Sequence, residues 1–219
     1  KTKNEMFREM LDRCVYNGVK FGYVLCDSWF SSGENMSFIA QECMRHFIME
    51  IKENRLVALS EKDKKEGKFV SIKSLKLEGL TRQVYIPQVD FPLLITLQIF
   101  KNEDGSVGKR YLASDDLNLT YPTMTTIYKK RWKVEEYHQS LKSNAAFAKS
   151  PTKTERTQVS HFIASVLAYI KQEALRIRTN VNHYALKTKI MLRANQQAFA
   201  ELQKLLTTEA PPFAVSCVR

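Results

Sequence analysis

The order in which hydrophobic patterns follow one another restricts the fold of this chain more than any single residue does. Residues 3–17 place Met6, Met10, Leu11, Cys14 and Val15 at helical spacing. The apolar run "FGYVLCD" comes next and reads as a buried strand ending at Asp27. "SSGENMSFIAQECMRH" opens with helix-start residues and carries Met36, Ile39, Ala40 and Cys43 on one side, and "FIMEIK" is a second short strand. Helix, strand, helix, strand within fifty residues predicts a parallel α/β layer.

The pattern then changes twice. Between Arg55 and about Ser114 the pieces "RLVALS", "KFVSIK", "RQVYIP", "PLLITLQIF" and "KRYLAS" are strand-like, separated by charged turns such as "EKDKKEGK" and "KNEDGSVGK". From Thr120 onward the spacing predicts helices over 121–145, 153–178 and 183–206, followed by an apolar tail containing proline. These changes set the expected boundaries: a core segment at 1–54, a β-rich insertion at 55–118, core-closing helices at 119–180, and a C-terminal helix and tail at 181–219.

Composition narrows the function classes. In 219 residues, 44% hydrophobic content supports a real core, and 7 Gly with 6 Pro argue against a disordered or fibrous chain. No apolar run approaches the roughly 20 residues of a bilayer span, so no membrane role is expected. Cys14, Cys26, Cys43 and Cys217 form no C-x-x-C pair; this favours a reducing cytosol over a zinc or disulfide framework. A net charge of +11 points to a polyanionic partner or a basic solvated surface. The chain starts at Lys1 within an amphipathic stretch, so it reads as a fragment lacking an upstream portion.

One helix concentrates the chemistry. "IYKKRWKVEEYHQSLK", residues 127–142, contains neither Gly nor Pro. On a wheel of ~100° per residue, Tyr128, Arg131, Glu135 and Lys142 fall within an arc of about 60°. Beside them Met124, Ile127, Val134, Leu141 and Ala145 form an apolar stripe that would pack on a core. Charged groups at the edge of such a stripe are partly shielded from water. An ordinary amphipathic helix with an Arg131–Glu135 pair would also account for any one of these residues alone.

The four aligned positions read Tyr-x2-Arg-x3-Glu-x6-Lys. With "RWKVEEYH" around them, they resemble the motif that closes the catalytic domain of insertion-sequence transposases of the IS-four type. "YVLCDSWFSSGEN" is similar to the segment carrying the middle catalytic Asp of that family, which singles out Asp27. The 107 residues between Asp27 and Glu135 are long for a bare ribonuclease-H-like core and natural if a β-strand insertion intervenes. The resemblance covers about residues 1–170. It implies an α/β fold: part of a ribonuclease-H-like catalytic core, a β-strand insertion and a helical C-terminal part.

The resemblance also implies a chemistry. Phosphodiester cleavage needs an activated oxygen nucleophile and charge stabilisation on the attacking and leaving oxygens, which a two-metal site of Mg²⁺ or Mn²⁺ supplies. Asp27 and Glu135 would be its carboxylate ligands. Tyr128, Arg131 and Lys142, with Trp132 beside them, would be the DNA-phosphate contacts; Trp132 could instead pack in the core or stack on a displaced base. The family uses a DDE triad, and the first Asp is expected upstream of Lys1, because Glu5, Glu9 and Asp12 lie within the first helix. The fragment alone is therefore expected to bind metal poorly and not to cut DNA. Residues 128–156 add eight Lys or Arg against three acids, a further phosphate-facing surface.

The implied partners are double-stranded DNA (transposon ends and target) and a second copy in a synaptic homodimer, in the bacterial cytoplasm at the nucleoid. The rival readings are a non-catalytic basic DNA-binding remnant and a ribonuclease-H-like nuclease or resolvase.

Overall fold

The computed structural model describes residues 1–102, 104–151 and 153–207. Cys217 and most of the proline-containing tail lie outside the described residues. The chain divides into two compact units, Lys1–Trp132 and the residues from Lys133 onward.

The first unit begins with helix α1 (Lys3–Tyr16), started by a capping box in which the Thr2 hydroxyl accepts the Glu5 N–H and the Glu5 carboxylate accepts the Thr2 N–H. Strand β1 (Tyr23–Cys26) follows, then a 3₁₀ turn over Ser28–Phe30, the short helix α2 (Gly33–Ser37) running into a π-helical turn, and strand β2 (His46–Ile51). β1 and β2 pair in parallel with Cys26 opposite Met49, as the alternation of helix and strand predicts. Gly33 is required where it stands, because a Cβ there would lie 2.5 Å from the Gln88 Cβ.

The β-rich stretch is continuous with this pair. Strands β3 (Leu56–Val57) and β4 (Val70–Ser71), flanking helix α3 (Glu61–Lys65), make a small two-stranded ribbon. Strands β5 (Thr81–Val84), β6 (Leu93–Lys101) and β7 (Val107–Ser114) extend the main sheet instead, in the order β1-β2-β7-β6-β5. The other strand-to-strand pairings of this sheet, β2–β7, β7–β6 and β6–β5, are antiparallel, so the sheet is mixed and mainly antiparallel.

The pleat sends alternate residues to opposite faces, and both faces are covered. Phe47, Met49 and Ile51 join the larger apolar cluster, with Met36, Ile39, Leu97 and Tyr111. Ile48 points the other way and packs with Leu94, Leu112, Met124 and Tyr128. The last two belong to helix α4 (Tyr121–Lys129), which Thr120 caps and Pro122 helps to start.

The helix expected over 121–145 is interrupted. Lys130–Trp132 form a 3₁₀ turn, and helix α5 (Lys133–Asn144) begins after it. A 3₁₀ residue turns ~120° rather than ~100°, so three of them shift the helical phase by about 60°. The wheel therefore holds within α4 and within α5, not across both. The apolar stripe is interrupted just past the turn: Val134 is exposed, whereas Met124 before it and Leu141 and Ala145 further on are buried.

The second unit packs α5, α6 (Glu155–Thr179) and α7 (His183–Thr207) around a polar staple. Ser140 Oγ and His183 Nδ1 lie 2.7 Å apart, His183 Nε2 is 2.9 Å from Glu173 Oε2, and the Asn144 side chain donates to Ser140. One chain of hydrogen bonds thus ties the three helices together. The edge-on rings of Tyr137, Tyr169 and His183 flank it.

Candidate active site

Asp27 occupies the position just past the end of β1. Its backbone is extended, and its Oδ1 accepts the Trp29 N–H at 3.0 Å, capping the 3₁₀ turn. Capping the turn is compatible with a catalytic part for this Asp, because one oxygen does the capping and fixes where the other points. Continuing the register one step beyond Cys26–Met49 brings Asp27 level with Glu50, on the face of the sheet covered by α4.

The loop after Asp27 is held from two sides. Phe30 stacks on Phe7 of α1 at 4.8 Å. Buried Asn35 donates to the Phe30 carbonyl and to Asn4, and accepts from Arg8 at 2.8 Å. Arg8 also pairs with Glu34 at 3.0 Å. A rigid loop of this kind suits a group that must meet a substrate in one orientation.

Tyr128 is 2% exposed, and its hydroxyl donates to the Cys26 carbonyl at 3.0 Å. The Glu50 carboxylate is 3.5 Å from the same oxygen. Burial, then the Glu50 charge, raises the pKa of this phenol, so it stays protonated and remains a donor. Arg110 lies over both the Tyr128 and Phe100 rings, with its Nε 3.1 Å from Glu50 Oε2. That nitrogen is buried with no well-aligned hydrogen bond, so the contact is an ion pair rather than a directed bond.

Arg131 belongs to the 3₁₀ turn that packs on β1, and its guanidinium lies 5.9 Å from the Tyr128 ring centre. The Cys26 thiol registers both neighbours: burial pushes it up to about 12, the Asp27 charge adds to that, and Arg131 opposes it. Asp27, Tyr128 and Arg131 are therefore gathered at one end of β1. Trp132, the next residue, is 60% exposed and does not pack in the core. Glu135 and Lys142 stand on α5 in the second unit, where a seven-residue spacing puts them on one side of the helix.

The sequence reading missed three contributors. Glu50 and Arg110 sit beside Tyr128 through strand pairing, which no local pattern reveals. Trp29 is 76% exposed two residues after Asp27, and the signal for it was a tryptophan beside Phe30 in a loop rich in Ser. Asp115 and Asp116 act structurally: Asp115 accepts from the Phe47 N–H and pairs with His46, and Asp116 accepts the Tyr23 hydroxyl at 2.6 Å.

Carboxylate oxygens are hard donors suited to divalent cations, and Asp27 retains one oxygen beyond the one that caps the turn. Among the described residues, no three His, Cys, Asp or Glu side chains gather as a metal-holding group. No helix among the described residues is long and apolar enough to cross a membrane.

No curated protein matches the chain. A family match, in contrast, spans residues 1–171, from α1 through both the Asp27 loop and the Tyr128–Lys142 segment into α6. On that match the chain belongs to the transposase DDE domain family, whose function is DNA transposition and whose catalysis depends on metal.

Proposed function

We propose that this chain is the catalytic part of an insertion-sequence transposase of the IS-four type. It would cut DNA at transposon ends and join the freed ends to a target. The observation that carries the reading is Asp27, fixed at the tip of a parallel strand with Arg131 packed at the same strand end, in a chain of the DDE family. The family match does not favour the DNA-binding remnant or the resolvase.

Asp27 and Glu135 are the proposed metal ligands; their pairing rests on the Tyr-x2-Arg-x3-Glu-x6-Lys spacing and on family membership. Bound Mg²⁺ or Mn²⁺ would supply the charge that activates the attacking oxygen and stabilises the leaving one. The chain's own groups do the rest. Trp29 N–H holds Asp27 Oδ1, which limits the carboxylate to one orientation. Arg131 and Lys142 bind non-bridging phosphate oxygens, Arg131 with a planar fork and Lys142 as a point charge. Trp132 and Trp29 offer flat exposed faces to unstacked bases.

Tyr128 takes a different part from a phosphate contact in this reading. Its hydroxyl already donates to Cys26, so it props the strand end that carries Asp27. In the first reaction step water attacks the phosphorus, the P–O3′ bond breaks and a 3′-hydroxyl is released. In the second, that hydroxyl attacks a target phosphorus and displaces the target strand's own 3′ oxygen. A ribonuclease-H-like core, a synaptic dimer and action at the bacterial nucleoid belong to the same proposal.

The test uses the full-length protein, with pre-cut and uncut duplex ends and Mn²⁺. Asp27→Asn and Glu135→Gln should each remove cleavage and strand transfer while DNA affinity stays within about twofold of the parent's. Retained cleavage in either variant refutes the assignment. Cleavage without any joined product would instead identify a hydrolytic nuclease.

A further inference from the structure

Two cavities in the first unit share a wall. One, of 420 Å³, starts at Ser28, directly after Asp27, and is bounded by Glu50, Lys52, Asn54 and Arg110. The other, of 610 Å³, lies between the 73–80 segment and β6, bounded by Lys73, Lys76, Leu80 and Leu97. Glu53, Lys109 and Tyr111 line both. Sharing that wall, they form an open channel that starts at Ser28 and passes the end of β2 and the middle of β7; Asp27 itself lines neither cavity.

The channel's charge is uneven. Five cations face three carboxylates along it. Two of the carboxylates are already engaged: Glu50 is 3.1 Å from Arg110, and Glu53 is 3.8 Å from Lys73. Among the described residues, Lys52, Lys76 and Lys109 take part in no ion pair, and all three are exposed. An ordinary solvated surface pairs or scatters such charges; α3, for instance, couples Lys65 with Glu61 at 2.7 Å and Lys62 with Glu66 at 3.8 Å. Three unpaired ammonium groups along a channel that starts at Ser28, the residue after Asp27, match a chain of regularly spaced anions.

We propose that this channel carries the sugar–phosphate backbone of the DNA flanking the scissile bond, with Lys52, Lys109 and Lys76 as successive phosphate contacts. The ligand follows from the transposase reading, and the contacts add a track distinct from the 128–156 surface. They position without reading bases, since contacts to phosphate carry no sequence information. Leu80 and Leu97 on the far wall suit the apolar edges of the sugars.

The experiment measures binding of a random 30-base-pair duplex to the full chain without divalent metal, across a potassium chloride series. For duplex DNA the slope of log K against log salt falls by roughly 0.9 for each phosphate that the protein no longer neutralises. Lys52→Gln, Lys76→Gln and Lys109→Gln together should flatten the slope by about 2 to 3. The charge-matched set Lys62→Gln, Lys65→Gln and Lys68→Gln should leave it within about 0.5 of the parent. Arg at the three channel positions should restore the parent slope, which excludes a folding defect. Equal flattening by both sets would show long-range charge only and overturn the channel, as would no flattening by either. If the channel set leaves the slope alone while Glu135→Gln abolishes cleavage, the channel fails and the transposase reading stands; a flattened slope with cleavage retained in Glu135→Gln gives the reverse.

Discussion

Replacing Tyr128 with Phe removes one oxygen and nothing else, which makes it a sharp test of what that residue does. The ring stays, and with it the packing against Met124 and Leu112 and the Arg110 guanidinium 5.5 Å from its centre. What disappears is a buried hydroxyl donating to the Cys26 carbonyl at 3.0 Å, and a weaker contact with Glu50 at 3.5 Å. A buried acceptor that loses its donor costs about 1–3 kcal/mol. The bond is longer than the usual ~2.7–2.8 Å for O–H···O, so the lower half of that range applies, about 1–2 kcal/mol. For a unit of this size that is a drop of a few degrees in Tm.

Equilibrium urea unfolding of the chain, with far-UV circular dichroism, reads the loss as a lower midpoint at unchanged slope. DNA affinity should stay within about twofold, because the hydroxyl faces the strand and not the solvent. Strand cleavage should fall by about tenfold or more, since a displacement of well under 1 Å in a reacting group is enough for that. The reasoning is refuted by the opposite pattern: stability unchanged, with weaker DNA binding and a salt slope reduced by roughly 1, the mark of one phosphate released from the protein's grip.

Two further outcomes concern groups around the sheet. Burial and then the bond to Asp116 raise Tyr23 to about 12. Burial works against the Asp116 charge, but the bonds from Tyr23 and the Asn118 N–H outweigh it and hold that carboxyl below its ordinary value. The Asp116 contribution to stability is thus present above the usual carboxylate pKa of ~4 and lost as pH falls through the depressed folded value. The Tyr23 contribution is complete below ~10 and lost as pH rises toward about 12. Tyr23→Phe should shrink both the alkaline and the acid loss, buried Tyr128 and Tyr111 keeping the rest of the alkaline one; a stability–pH curve unchanged at both ends refutes the linkage. Cys26 should resist iodoacetamide at pH 8 in the folded chain while half-buried Cys14 is labelled, as read by peptide mass spectrometry. Labelling of Cys26 at the Cys14 rate would show that the β1 end opens.

How much was legible in the sequence depended on range. The strand "YVLC" and its terminal Asp27 could be read because an apolar run bounded by polar residues has one local solution. The same holds for α1, α6 and α7, whose periods extend over many turns. The break at Lys130–Trp132 could not be read, since no Gly or Pro marks it and the α-helical and 3₁₀ patterns differ by only ~20° per residue. Nor could the exposure of Val134, two residues past that break.

By itself, then, the sequence determined the kind of each element and the spacing of the Tyr-Arg-Glu-Lys motif, because side-chain period and residue identity are local properties. Only the tertiary structure decided that β7 lies beside β2, that Glu50 and Arg110 meet Tyr128, and that the Tyr128 hydroxyl is consumed by the backbone of β1. The Tyr128 contacts with Glu50 and Cys26 join residues 78 and 102 positions apart, and packing across such distances is chosen by burial of both sheet faces at once.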